Sequence, residues 1–242
     1  VDGKHVIVHF GTDEQGALVA LDVASGKQAW SLGKAGASYS SPLVVEIDKV
    51  RQVVEWNHQA LVGVDIMSGH LLWEHPFPHV GSDQNMPTPA FHNGRILLGG
   101  ENRGIHSLQP RLTGDKWTVK ENWHQEKLAL DMSTAVINGD LLYGFSHYDS
   151  GRLFCLDPRT GEILWQGPPR TGRNVMFLSI PGYVVALVDS GELQIVAASG
   201  KEYKKIASYR VAEGGTWAPP VLLEKSLLVK DVQTLTLWSW AR

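Results

Sequence analysis

The chain has 242 residues, 43% apolar and 19% charged, with a formal net charge of −3. That is an ordinary globular composition with material for a sizeable core, and it offers no basic field to nucleic acid or an anionic membrane surface. No apolar run approaches the ~20 residues of a membrane helix, and a single cysteine, Cys155, excludes an internal disulfide framework and a cysteine-built zinc site.

In chain order, the first predicted strand is GKHVIVHF, followed by a polar turn and then LVALDVASGKQAW, which begins at Leu18. Next come SYSSPLVV, VRQVVEW and LVGVDIMSGHLLW. The last of these begins at Leu61 and repeats Leu, Val, Asp, Ser, Gly and Trp at the offsets of the Leu18 string. The spacing Asp-x3-Gly-x3-Trp occurs at Asp22/Gly26/Trp30 and Asp65/Gly69/Trp73, and returns at Asp157/Gly161/Trp165. Asp157 follows Asp65 by 92 residues, two periods of 46, so a copy is expected near residue 110. There the chain reads IHSLQPRLTGDKWTVKENW, with Gln109 at the Asp position, Gly114 in a longer hairpin and Trp123 assigned to the tryptophan slot. A fifth copy, LQIVAASGKEYKKIASY, keeps Ser199 and Gly200 and puts Tyr203 or a neighbour in place of Trp.

Each copy is preceded by an apolar run behind a turn residue (NGRILLGG, NGDLLYGF, PGYVVALV, EKSLLVKD), and that run by another (MPTPAFH, MSTAVIN, NVMFLSI, TWAPPVLL). Short β-rich runs punctuated by Gly, Asn-Gly and Pro, with no 3.6-residue amphipathic period, predict an all-β chain of four strands, A to D, per period. In the C–D turn, Asp accepts local backbone N–H bonds and Gly takes the positive φ of a compact hairpin. The Trp of strand D buries its large side chain between units. Radially stacked four-stranded antiparallel units form a β-propeller, so the repeated Asp, Gly and Trp are architecture and not catalysts. Cys155, in RLFCLD, reads as a buried small hydrophobe.

LVALDVASGKQAW and LFCLDPRTGEILW resemble the tryptophan-docking repeat, roughly A-x-D-x-x-T-G-x-x-x-W, of the pyrroloquinoline-quinone (PQQ)-like propeller family. That family includes quinoprotein alcohol dehydrogenases, an outer-membrane assembly lipoprotein and PQQ-binding-like repeat proteins of unassigned function. No strand ends in Trp-Asp, as a WD repeat would, and LLGG is the only kelch-like instance. The resemblance implies one propeller domain over 1–242 and an extracytoplasmic location. The predicted strands make four complete blades and two partial ones, 22 strands. Since the chain starts at Val1 with neither an initiator Met nor a signal peptide, the reading is the C-terminal part of an eight-bladed ring, truncated at its N-terminus.

In a propeller the B–C loops gather on one face, where pockets usually form. Here they carry His9, Asp13, Asn57, His58, Glu101, Asn102, Arg103, His147, Tyr148 and Asp149, the candidate binding residues. A PQQ enzyme would need a carboxylate-rich Ca²⁺ site, an Asp base and a flat Trp under the cofactor, and many have a vicinal disulfide that lone Cys155 excludes within this segment. The pairs His5/His9 and His75/His79 stand ~13 Å apart along a strand and do not chelate alone. HPFPH reads as a blade linker and GKEYKK as a solvated hairpin, and no serine triad, P-loop or Rossmann fingerprint occurs. The expectation is a non-catalytic, extracytoplasmic scaffold that presents the B–C loops to a protein or carbohydrate partner, without metal or cofactor. The alternatives are a quinoprotein oxidoreductase whose PQQ and Ca²⁺ site missing blades complete, and sugar hydrolysis, for which Glu101 and Asp149 are the nominated carboxylates.

Overall fold

The computed structural model describes residues 1–81 and 83–240. They cluster into two compact units, one of residues 1–102 and 106–124, the other of 103–105 and 125–242. Among the described residues there are 22 strands in six antiparallel sheets and one 3₁₀ turn, Tyr148–Ser150. No helix among them is long and apolar enough to cross a membrane.

The first unit opens with a three-stranded sheet, β1 (His5–Gly11), β2 (Gly16–Asp22) and β3 (Gln28–Gly33). A four-stranded sheet follows, β4 (Leu43–Ile47), β5 (Val50–Trp56), β6 (Ala60–Asp65) and β7 (Leu71–Pro76). The next sheet is β8 (Ala90–His92), β9 (Arg95–Gly99), β10 (Ile105–Thr113) and β11 (Lys116–Gln125), whose two strands β10 and β11 begin and end in the second unit.

The second unit contains the sheet β12 (Val136–Asn138), β13 (Leu141–Ser146), β14 (Arg152–Leu156) and β15 (Ile163–Gln166). It is followed by β16 (Val175–Ile180), β17 (Tyr183–Val188), β18 (Glu192–Ala197) and β19 (Lys205–Arg210). A three-stranded sheet, β20 (Val221–Leu223), β21 (Ser226–Lys230) and β22 (Leu235–Ser239), ends it. In every sheet the strands pair in sequence order, and the four-stranded sheets have the A-B-C-D meander expected of a blade.

The apolar faces are buried between successive sheets. Leu18, Ala20 and Trp30 of the first sheet pack with Val53, Val62 and Val64 of the second. Val54, Trp56 and Trp73 pack with Ile96, Leu98 and Leu108 of the third. In the second unit Tyr143, Phe145, Cys155 and Trp165 pack with Val175, Phe177 and Val184, and Val185, Leu187 and Leu193 pack with Leu227 and Val229.

The repeat motif works as local turn chemistry plus one long-range anchor. Asp22 accepts bonds from Ser25 N (2.8 Å) and Ser25 Oγ (2.6 Å), and Asp65 from Ser68 N and Oγ (both 2.7 Å). Asp157 accepts from Arg159 N at 2.8 Å and pairs with its guanidinium. Opposite each Trp on the neighbouring strand stands a small residue: Ala20 faces Trp30, Gly63 faces Trp73 and Cys155 faces Trp165. The register shifts immediately after that residue in all three sheets, one β-bulge beside each tryptophan. Trp30 then donates to Ile66 O at 3.0 Å over Gly69 of the next turn, and Trp165 donates to Ser199 O at 2.6 Å beside Gly200.

Trp73 differs. Its indole donates to Gln52 Oε1 (2.6 Å) in its own sheet, because the next C–D hairpin, β10–β11, is nine and ten residues a side and carries Gly114 away from the docking position. Nothing lies within 4 Å of where a Gly114 Cβ would stand. On that long hairpin Trp123 is half-buried, and the contact to Gly161 O is made by Gln125 Nε2 at 2.8 Å. Tyr203 packs edge-on against Trp165, with ring centroids 5.6 Å apart.

Candidate functional site

The B–C turns and the linkers that lead from strand D of one sheet to strand A of the next interlock. In the first unit the linker 34–42 crosses the β1–β2 and β5–β6 turns. Ala37 N donates to Thr12 O (2.8 Å), His58 N to Gly36 O (3.0 Å), and Ser38 Oγ to Trp56 O. The linker 77–89 closes the other side of the β5–β6 turn, with Asn85 Nδ2 donating to Asn57 O at 2.8 Å. In the second unit Thr216 Oγ1 donates to Val188 O (2.7 Å), and Asp189 accepts from Arg173 N (2.9 Å) and Arg173 Nε (3.2 Å). Ser133 donates to Asn174 Oδ1 at 2.6 Å beneath these turns.

Several of the sequence-predicted residues serve this bracing. Asn57 is only 4% exposed, and its Oδ1 accepts Gln59 N (2.9 Å) and Ala60 N (2.8 Å), an Asx turn that satisfies backbone groups of the loop. His58 is half-buried and lies against His79, ring centroids 3.8 Å apart, with His79 N donating to His58 O at 3.1 Å. His9 belongs to strand β1, where Nδ1 meets Glu55 Oε1 and Nε2 lies 3.1 Å from Ala35 O. Burial works against its charge, but the hydrogen bond and charge of Glu55, helped by the Ala35 carbonyl, hold its pKa above the ordinary histidine value.

The other predicted residues lie nearer solvent. Asp13 is exposed at the tip of the β1–β2 turn, where Thr12 Oγ1 accepts Glu14 N and Gln15 N at 3.3 Å. Glu101 is half-buried and Asn102 exposed in the β9–β10 turn of the first unit, Asn102 with φ +57°. Arg103, half-buried, belongs to the second unit. There His147 and Tyr148 pack edge to face, centroids 4.8 Å apart, and exposed Asp149 pairs with Arg152 Nη1 at 3.2 Å.

The sequence reading passed over two sets of residues. One is the bracing set: Ser38, Asn85 and Thr216 each stand five positions before the first residue of a strand A (Leu43, Ala90, Val221), a recurring polar position that was legible. The other is aromatic: Tyr39 on the linker 34–42 is 72% exposed, and Trp217 on the linker before β20 is 47% exposed. Among the described residues no three or more His, Cys, Asp or Glu side chains are grouped to hold a metal ion.

BamB from Moraxella catarrhalis has a similar structure, with a TM-score of 0.68 at 17% identity over 99% of this chain and 71% of that one. A chain of the mitotic checkpoint complex gives 0.68 at 14% identity, covering 98% of this chain and 74% of its own length. A europium-containing methanol dehydrogenase gives 0.57 at 11% identity over 87% of this chain, which spans half the length of that enzyme. These likenesses are of fold. No curated protein matches the sequence. The profile of the family described as outer membrane protein assembly factor BamB matches residues 1–167, and with its docked tryptophans and four-stranded sheets the chain belongs to that PQQ-repeat β-propeller family.

Proposed function

We propose that the chain is a non-catalytic, extracytoplasmic propeller scaffold whose units each present turns and linkers to a protein partner. The observation that carries this reading is the division of labour on the turns and linkers of each unit taken by itself. Polar side chains such as Asn57, Asp189 and Thr216 are consumed in bracing the loops, while large aromatics, Tyr39 and Trp217, stand exposed on the braced linkers. Rigid aromatics with arginine are the side chains that anchor protein interfaces at low entropic cost. The family description, an outer membrane protein assembly factor, supports a location outside the cytoplasm. Together with a chain of the mitotic checkpoint complex among the fold neighbours, it supports a protein partner over a carbohydrate.

The test is a pull-down from envelope extract with the protein and with Tyr39→Ala, Trp217→Ala and Arg103→Ala/His147→Ala/Tyr148→Ala variants. A partner protein retained by the parent and released by these substitutions is the expected result. Retention by all of them refutes the assignment of this surface. The reading includes no cofactor, so PQQ with Ca²⁺ leaves the melting temperature unchanged. Stabilisation of about 2.7 kcal/mol at 100 times the dissociation constant would instead establish the quinoprotein alternative.

A further inference from the structure

The bracing network of the first unit contains a buried histidine–carboxylate contact in which both ring nitrogens are engaged. The His9 side chain is 7% exposed and that of Glu55 3%. Both nitrogens of the ring face acceptors: Nδ1 meets the Glu55 carboxylate, and Nε2 meets the Ala35 carbonyl at 3.1 Å. A neutral imidazole has one donor and one acceptor nitrogen, so it would turn a lone pair towards one of these oxygens. Opposite an ionised Glu55, only the imidazolium, with two N–H groups, satisfies both. The contact also joins three separate pieces of chain: strand β1, strand β5 and the linker 34–42. There is no slack around it, since a Cβ on Gly16 would stand 2.7 Å from His9 Nε2 and 2.9 Å from Ala35 O.

The other charged groups on the surrounding elements lie outside this contact. His5 is buried at the start of β1, and Arg51 near the start of β5 pairs with Asp2. Asp13 and Glu14 in the β1–β2 turn and Lys34 on the linker are exposed, and His58 of the β5–β6 turn is half-buried against His79. Glu55 is the charge that acts on the ring.

We propose that His9, Glu55 and the Ala35 carbonyl form a proton-dependent latch: the charged imidazole fastens the linker 34–38 across the β1–β2 and β5–β6 turns, and loss of its proton releases it. When His9 becomes neutral, one ring nitrogen turns a lone pair towards an acceptor oxygen in a buried site, a mismatch that buried polar contacts tolerate poorly. The relief available is movement of the linker, which admits water and frees the Ala37–Thr12 and His58–Gly36 backbone bonds that lock the surface. The sign follows from the raised pKa of His9. The latch is fully closed below the ordinary histidine value, and it opens as pH rises through the higher value of the folded protein. The latch does not depend on whether the surface binds a protein, so its failure and that of the scaffold reading are separate results.

The experiment is an NMR titration of the full chain labelled with ¹⁵N-histidine, with amide hydrogen exchange at Ala37 and His58 normalised to the intrinsic rate at each pH. The expected result is a doubly protonated His9 ring at neutral pH. Amide protection at Ala37 and His58 should then fall in step with its deprotonation, while core amides such as Val64 stay protected. In Glu55→Gln the proton affinity of His9 drops about tenfold or more and the coupled change in protection disappears. A His9 ring that is neutral at pH 7, or linker protection that is indifferent to its titration, overturns the latch. If Glu55→Gln does not fold, the titration of the unaltered protein decides by itself.

Discussion

The docking of Trp30 over Gly69 permits a matched test. Gly26 and Gly69 hold the same position in consecutive copies of the motif, with φ of +69° and +74°. An alanine at either adopts the left-handed region at about 1–2 kcal/mol. The surroundings differ: nothing lies within 4 Å of a Gly26 Cβ, whereas a Gly69 Cβ would stand 2.7 Å from the Trp30 ring. The ring is buried among Leu18, Ala20, Val53 and Val64 and cannot retreat without opening that cluster, so the turn or the indole must shift. The Trp30–Ile66 hydrogen bond is lost with it, leaving a buried N–H unpaired at about 1–3 kcal/mol. Gly69→Ala is therefore expected to cost about 3–5 kcal/mol, against about 1–2 kcal/mol for Gly26→Ala. Urea unfolding followed by both tryptophan fluorescence and far-UV circular dichroism measures the difference, and coincident curves establish a single transition. The excess should disappear when Gly69→Ala is placed in a Trp30→Leu background, because the clash and the bond have then gone. Equal losses at Gly26 and Gly69, or an excess that survives Trp30→Leu, would refute the docking argument.

Two further outcomes can be checked directly. Burial raises the Asp65 carboxyl pKa, but the Ser68 hydroxyl and the Ser68 and Met67 amides outweigh it and hold the group below the ordinary aspartate value. Its contribution is therefore present above the unfolded-state value and lost as pH falls through the depressed one. Asp65→Ala is expected to cost about 1–2 kcal/mol near neutral pH, and that deficit should shrink on acidification; a constant deficit in urea titrations from pH 7 to acid refutes the turn role. Burial pushes the Cys155 thiol up to about 12, with the Asp157 charge adding to it and Tyr143 opposing. A thiol reagent should thus leave the native protein unmodified at pH 8 and label it stoichiometrically in denaturant; rapid labelling of native protein would show that the Trp165 side of that sheet opens.

The fold was legible because its determinants act locally or recur. An Asp that accepts the amide of a residue two or three positions on builds its turn wherever it stands, as at Asp22, Asp65 and Asp157. The 22 strands follow from apolar runs between such turns. Trp73 marks the limit. It carries the full motif and yet bonds within its own sheet, because the partner that would receive it belongs to the next hairpin, and the length of β10 and β11 moves that partner away. A motif states what a residue offers, while the neighbouring repeat decides whether the offer is met.

The turn surface was less legible for the same reason. Polarity in a loop marks equally a group that meets a ligand and one that satisfies buried backbone, so Asn57 and Asp13 read alike although one is a buried brace and the other an exposed tip. Asn57 is used up by amides of its own turn, and other polar groups by a neighbour one repeat away. His9 and Glu55 are 46 residues apart, and Ser133 and Asn174 are 41 apart; each pair joins segments of consecutive repeats. In a stack where each unit touches only its neighbours, a polar side chain with a complementary one at the repeat period has a built-in partner and is spoken for structurally. Tyr39 and Trp217, large and exposed on the connecting linkers, are the residues on which the proposed binding role rests, each within its own unit.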